Sequence, residues 1–208
     1  MSDPIDGAVR AARAGRLVVI PTDTVYGIGT RPDDPRATAR LFEAKGRPRE
    51  LELPILVPGA PAARAIAAFD ARADALATRF WAGALTLVLP RTRASAGWDL
   101  GGDPATIGIR MPHHPLALAL LSLAGPLAVT SANRSGRRTL ATCAELLAEF
   151  GDAVEVYLCE EEPLEGRPST VVDLTASTAR ILRAGVLGER EIRDVLDPVE
   201  GRAPEDEV

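Results

Sequence analysis

Leu17-Val18-Val19-Ile20-Pro21-Thr22-Asp23-Thr24-Val25-Tyr26-Gly27-Ile28-Gly29 opens with four apolar residues and turns polar at a proline. Four is the length of a buried strand rather than a helix, and Pro21 stops the run. The polar loop PTDTVYGIGT then leaves the strand end, the place where open α/β sheets hold ligands. Upstream, residues 5–14 follow helical spacing, with Gly15 as the C-cap. Downstream, Asp34-Pro35 is a helix start that runs through Leu41 and Phe42 to about Lys45. Helix, strand, loop and helix thus follow one another within the first 45 residues of the sequence.

The pattern continues. Residues 55–57, 84–89, 106–110, 127–130, 154–158, 170–174 and 179–183 read as strands, and 61–68, 71–80, 114–123 and 188–196 as helices. Asp70 caps one helix, and Thr142 with Glu145 forms a capping box for another that ends near Phe150. Strands alternate with helices, yet several strand pairs lie close in sequence. The expectation is one α/β domain with a mixed sheet. The last dozen residues, with Pro198, Gly201, Pro204 and five acids, read as an acidic, disordered tail. That leaves 1–196 as the domain and 197–208 as the tail.

Composition narrows the function classes. The chain has 208 residues, enough for one domain with a sizeable core, and a net charge of −5. The tail carries most of that charge, so the body is near neutral, which argues against strong non-specific nucleic-acid binding. Cys143 and Cys159 are too few for a disulfide framework, and the chain reads as cytosolic and reducing. His113 and His114 are the only histidines, so a His/Cys metal site is not expected. No apolar run reaches the length of a membrane span, and the N-terminus has no signal-peptide core. Arginine outnumbers lysine 23 to 1, and there is a single asparagine. Lys45 and Asn133 are therefore candidates for positions where Arg or Asp would not serve.

Several standard motifs fail. Lys45 precedes its glycine, so there is no Walker A loop. Pro32 stands where a dinucleotide fingerprint needs its third glycine. No Gly-x-Ser-x-Gly exists, and the two histidines sit in a proline-bounded turn. Four other segments carry polar groups where packing does not demand them. In 21–29 the two glycines permit close backbone approach and the hydroxyls can bind a small polar ligand; a turn with Asx-type bonds from Asp23 is the plain alternative. Lys45-Gly46-Arg47-Pro48-Arg49 is a sharp cationic turn suited to phosphate, or else a helix end that complements its dipole. Thr130-Ser131-Ala132-Asn133-Arg134-Ser135-Gly136 follows another apolar strand and offers hydroxyl, amide and guanidinium groups, or is a polar surface turn. Pro168-Ser169-Thr170-Val171-Val172-Asp173 is followed ten residues later by Arg183, which alone would pass for a surface residue.

Together these segments resemble the YrdC/TsaC-like family of threonylcarbamoyl-adenylate synthases, in its short form. PTDTVYGIG, KGRP, ALTLVLP, TIGIRMPHHP, TSANRSG, STVVD and ILRAG occur in the family's order across about 8–196. The resemblance implies a twisted mixed sheet flanked by helices around a large concave cavity. It implies a cytoplasmic nucleotidyltransferase that makes threonylcarbamoyl-AMP and pyrophosphate from L-threonine, bicarbonate and ATP, with Mg²⁺ brought by ATP and none held by protein ligands. The product would pass to the tRNA threonylcarbamoyl transferase complex, with weak tRNA contact. By resemblance, Lys45 and Arg47 are catalytic and, with Thr106, Ser131, Asn133, Thr139 and Arg183, bind ATP. Thr24, Arg110, Val129 and Ser169 bind threonine.

The sequence departs from the family at Leu51 and Glu52, where a polar residue and Pro are frequent. Leu56 replaces a histidine of the threonine side in some members. Trp81-Ala82-Gly83-Ala84 replaces Trp-Pro-Gly-Pro, Cys159-Glu160-Glu161 replaces Asp-Gly-Gly, and Pro168 replaces a frequent Glu. These changes bear on the acceptor amino acid and the lid-like loops more than on the phosphate cations. Two alternatives follow: a non-catalytic RNA- or ribosome-binding module with Arg47, Arg49, Arg134, Arg137 and Arg138 as a basic rim, and an adenylating relative with a different acyl acceptor.

Overall fold

The computed structural model describes residues 4–164 and 166–201. In chain order the elements are α1 (Pro4–Arg13), β1 (Val18–Ile20), β2 (Gly27–Thr30), α2 (Pro35–Lys45), β3 (Ile55–Leu56), α3 (Ala60–Ile66), α4 (Ala71–Phe80), β4 (Leu85–Pro90), β5 (Thr106–Arg110), α5 (Pro115–Ala124), β6 (Leu127–Ser131), α6 (Cys143–Phe150), β7 (Val156–Tyr157), β8 (Thr170–Asp173), β9 (Arg180–Arg183) and α7 (Glu189–Glu200). The strands form one mixed sheet in the order β7-β1-β2-β6-β3-β5-β4-β8-β9. β1/β7, β3/β5 and β4/β8 are parallel, and the other pairs antiparallel. The mixed α/β expectation holds.

Alternation along the strands divides the molecule into a core side and a cavity side. Leu85, Leu87 and Leu89 of β4 and Ile107 and Ile109 of β5 enter the main core with Ala73 and Leu76 of α4 and Ile192 and Leu196 of α7. Thr86, Val88, Gly108 and Arg110 lie between them in sequence and face the opposite way, where they line a cavity. At the other end of the sheet, Val18 and Ile20 pack with Ala8 and Ala12 of α1 and Leu120 and Leu121 of α5. β1 is thus covered on both faces, which is why it reads as an unbroken apolar run.

Three expectations are corrected. Residues 27–30 form β2 rather than loop, paired to both β1 and β6. The glycines serve strand packing: a Cβ on Gly27 would lie 2.5 Å from Val129 Cγ1, and one on Gly29 would lie 2.6 Å from the Ala128 carbonyl oxygen. Their close approach is to the neighbouring strand. The tail boundary also moves, because α7 continues through Pro198 to Glu200. Glu200 anchors that last turn by accepting from the Ala179 N–H at 3.1 Å and facing Arg72 at 3.8 Å; residues 202–208 lie outside the described residues. Finally, Cys143 and Cys159 are not free thiols. They are joined as a disulfide, with Cα atoms 5.7 Å apart. Spacing of 16 in sequence did not reveal that α6 and the end of β7 converge.

Candidate functional site

A cavity of about 380 Å³ lies on the sheet face opposite the main core. Of the residues expected in the site, Thr24, Arg47, Arg110, Val129, Ser131, Ser169 and Arg183 line it together. Their chain positions range from 24 to 183, so it is the topology that unites them. β5 ends on Arg110, β6 on Ser131 and β9 on Arg183; β8 begins just after Ser169.

One end of the cavity is built around Arg110, which is 6% exposed. Its three guanidinium nitrogens donate to Asp23 at 2.7 Å, to Thr24 Oγ1 at 2.8 Å and to the Gly83 carbonyl at 3.0 Å. Burial pushes the guanidinium down and Asp23 opposes that shift. Asp23 also accepts the His113 backbone N–H at 2.9 Å. Thr22 and Thr24 share a hydroxyl–hydroxyl bond of 3.0 Å. Each polar group is held by another, as a buried arginine requires. The charge nevertheless faces a cavity with hydroxyls around it, an arrangement that fits an α-amino acid carboxylate.

Arg47 and Arg183 are held differently, and Arg183 lies near enough to Arg110 to lower its pKa as well. Arg47 donates to the carbonyls of Leu51 at 3.0 Å and Glu52 at 2.8 Å. Arg183 donates to the Ser169 carbonyl at 2.9 Å and its Oγ at 3.0 Å. Among the described residues, no carboxylate lies within ion-pair distance of either. Burial lowers both guanidinium pKa values, and for Arg47 the nearby Arg183 lowers it further. Glu52 opposes that shift at Arg47 without forming an ion pair, and two like charges held near one another favour an incoming polyanion.

α2 delivers the phosphate-side loop. Asp34 caps its start by accepting the Arg36 N–H at 2.8 Å. Gly46 ends it in the left-handed conformation at φ 58°, the conformation that favours glycine. Lys45, on the last turn, is 1% exposed. Its Nζ donates to the carbonyls of Ser131 and, at 2.7 Å, Asn133. Burial, with a smaller contribution from Arg47, lowers its pKa to about 7. A neutral amine has two N–H donors, which matches the two carbonyls.

Lys45 and Asn133 therefore meet each other, but both stand outside the cavity lining. Asn133 Nδ2 donates to the Arg134 and Arg137 carbonyls at 2.9 and 2.7 Å, which shapes the loop after β6. Thr106 and Thr139 also lie outside the lining. Thr106 Oγ1 is turned to the Asp103 carbonyl at 3.4 Å.

Sequence reading passed over Asp23, Thr86 and Glu52. Asp23 was visible as the acid in PTDT. Thr86 was visible as the polar residue between Leu85 and Leu87, and its hydroxyl bonds Ser169 Oγ at 2.8 Å. Among the described residues, Glu52 is the one acid in the cavity lining. Burial, opposed by Arg91, raises its carboxyl to about 7. Arg91 lies 3.5 Å from it.

The proposed basic rim is largely neutralised. Arg134 pairs with Glu149 at 2.8 Å, Arg138 with Glu145 at 2.6 Å and Arg49 with Asp99 at 2.8 Å. No group of three or more His, Cys, Asp or Glu that could hold a metal occurs among the described residues. No helix among them is long and apolar enough to cross a membrane.

With this geometry in hand, comparison with known proteins is decisive. The family model named Sua5_yciO_yrdC, described as "Telomere recombination", matches residues 10–185. The chain belongs to this family. It is 42% identical over 193 residues to the Mycobacterium tuberculosis protein named "Putative threonylcarbamoyl-AMP synthase", covering 92% of this chain and 88% of that one. It is 38% identical over 189 residues to the threonylcarbamoyl-AMP synthase of Pyrococcus abyssi, covering 90% of this chain and 55% of the relative. Among solved structures, P. abyssi Sua5 complexed with L-threonine superposes with a TM-score of 0.84 at 35% identity, covering 94% of this chain and 58% of that one. E. coli YciO gives 0.82 at 28% identity, covering 88% and 90%. The chain thus spans a little over half of the archaeal protein and most of the mycobacterial one.

Proposed function

We propose that this protein is an L-threonylcarbamoyl-adenylate synthase, which forms threonylcarbamoyl-AMP and pyrophosphate from L-threonine, bicarbonate and ATP. One observation carries the reading. A single cavity holds a carboxylate-ready arginine among hydroxyls together with two arginines that have no ion-paired acid among the described residues. Relatives named for this reaction at 38–42% identity support it.

In this reading Arg110, held by Asp23 and Gly83, takes the threonine carboxylate. Thr24, Ser169 and the backbone near Val129 complete the amino-acid end. Arg47 and Arg183 take the phosphates, and Ser131 meets the nucleotide. Lys45 and Asn133 act from behind, fixing the loop after β6, while Thr106 and Thr139 would reach the nucleotide only from outside the present lining. The threonine carbamate oxygen attacks the α-phosphorus, and the bond to pyrophosphate breaks. That chemistry asks for alignment and positive charge rather than a protein nucleophile. Arg47 and Arg183 supply charge where the leaving group accumulates it.

Mg²⁺ would enter with ATP. Glu52, the acid among the described lining residues, is turned towards Arg91, which leaves the phosphate oxygens as donors for a hard cation. The product would go to a tRNA threonylcarbamoyl transferase complex in the cytoplasm. A strongly RNA-binding module draws little support from arginines that are already paired. The test is pyrophosphate release with ATP and bicarbonate, each amino acid offered in turn. Release that depends on threonine supports the proposal, and release indifferent to threonine refutes it.

A further inference from the structure

The two cysteines are the only ones in 208 residues, and they are bonded to each other. Cys143 begins α6, at the end of the loop that starts from Ser131. Cys159 follows β7, at the start of a strap that returns to the sheet at Ser169. At the strap's far end Arg167 Nη2 donates to the Val186 carbonyl at 3.4 Å, and the Val186 N–H donates to the Pro168 carbonyl at 3.1 Å. The Glu160 N–H donates to Tyr26 Oη at 2.9 Å, and the Leu164 N–H donates to the Ala141 carbonyl at 2.9 Å. His114 Nε2 lies 3.2 Å from Glu160 Oε1.

Further along, the strap lies directly on the amino-acid end of the cavity. A Cβ on Gly166 would fall 1.5 Å from the Thr24 carbonyl oxygen, so only glycine permits this contact. Thr24 Oγ1 in turn accepts from Arg110. Pro168 and Ser169 then enter the cavity lining. The described contacts fasten residues 160 and 164 to Tyr26 and Ala141, and set residues 166–169 against Thr24 and in the cavity lining.

We propose that Cys143 and Cys159 form a reversible thiol–disulfide site, open to small thiols and disulfides, that sets the affinity of the amino-acid end of the cavity. The inference rests on the synthase reading for the identity of the amino acid. Both cysteines are half-buried, so a small thiol can reach them. A thiolate attacks Cys159 Sγ and the Sγ–Sγ bond breaks. Cys143 leaves as a thiolate beside the positive end of α6, where negative charge is favoured. A second thiol then attacks the mixed disulfide. Overall, two thiols become one small disulfide and the protein gains two thiols. Oxidation by a small disulfide reverses each step. Disulfides in a reducing compartment are commonly of this switching kind. Cys159 stands in the segment where the sequence departs from the family's Asp-Gly-Gly. The disulfide makes a positioning device of that departure.

The test uses the full chain, oxidised with oxidised glutathione or reduced with dithiothreitol. Thiol titration of the denatured protein should count none and two, respectively. Calorimetric L-threonine binding should weaken at least about fivefold on reduction. The threonine KM should rise by the same factor, with kcat within about twofold. Cys143→Ser and Cys159→Ser should both hold the weak value in either buffer. Hydrogen exchange in residues 159–164 should quicken on reduction, which reads the strap without any substrate. Equal exchange in the two states, or thiols that stay free after oxidation, would overturn the proposal. So would equal threonine affinity in the two states. If exchange and threonine binding both respond but no pyrophosphate is released in either state, the synthase reading fails and the redox site stands.

Discussion

The two ends of the cavity hold arginines in opposite ways. Arg110 is satisfied: Asp23, Thr24 and Gly83 take its three donor nitrogens. Arg47 and Arg183 are held by carbonyl and hydroxyl oxygens, and Arg183 lowers the Arg47 pKa as a like charge. Satisfied charge is stable and geometrically fixed, suited to selecting a small zwitterion. Uncompensated charge costs folding energy and is repaid when a polyanion arrives. One cavity thus spends stability at its phosphate end and keeps it at its amino-acid end.

Breaking that contrast should give unequal results. Arg110→Ala removes the charge partner of Asp23, whose side chain is 18% exposed, so it should cost about 3 kcal/mol and lower Tm by roughly 6–12 °C in a thermal scan. Asp23→Asn should recover part of that loss in the double variant. Arg47→Ala and Arg183→Ala should leave Tm unchanged or slightly raised, while kcat/KM for ATP falls roughly 100-fold. A large Tm loss in either would show that these cations are structural. Lys45→Arg should lose most of the activity, because a wider planar fork with a permanent charge replaces the single buried nitrogen that sits between the Ser131 and Asn133 carbonyls. Unchanged kinetics would make the lone lysine an accident of composition.

Titration sharpens the same comparison. Glu52 has its carboxyl raised from 4.5 to about 7. The folded chain therefore keeps a proton that the unfolded chain has lost across that window, and this contribution to stability falls as pH rises from 4.5 to 7. Glu52→Gln should raise stability by about 2 kcal/mol at pH 8 and make little difference near pH 4, as denaturant titrations at the two pH values would show. Lys45 has the opposite sign. Its pKa is lowered from 10.5 to about 7, so the unfolded chain holds the extra proton above neutrality and stability rises with pH there. Bound phosphates favour the protonated lysine, so ATP affinity should decline as pH rises above 7, a trend that calorimetry would follow.

Much of this was legible in the sequence, for definable reasons. The helix bounded by Asp34 and Gly46 and the capping box of Thr142 and Glu145 are written in local chemistry, and the structure contains both. β4 and β5 were legible from their apolar alternation. β2 was not, because Gly27 and Gly29 look like turn residues unless the side chain of Val129 on the adjacent strand is known. The Cys143–Cys159 bond and the Asp23–Arg110 pair join elements far apart in sequence, and no local pattern encodes either. Lys45 and Asn133 were singled out by rarity and do meet, yet behind the cavity wall rather than in it. Rarity marked their importance without revealing their geometry.

The central claim is that the two ends bind different halves of one reaction, and steady-state pyrophosphate release tests it most directly. With ATP and threonine each varied, Arg47→Ala should raise the KM for ATP and leave that for threonine within about twofold. Arg110→Lys, which keeps charge near Asp23, should do the reverse. If both variants raise both constants equally, or if wild-type release is independent of threonine, the division of the cavity is contradicted.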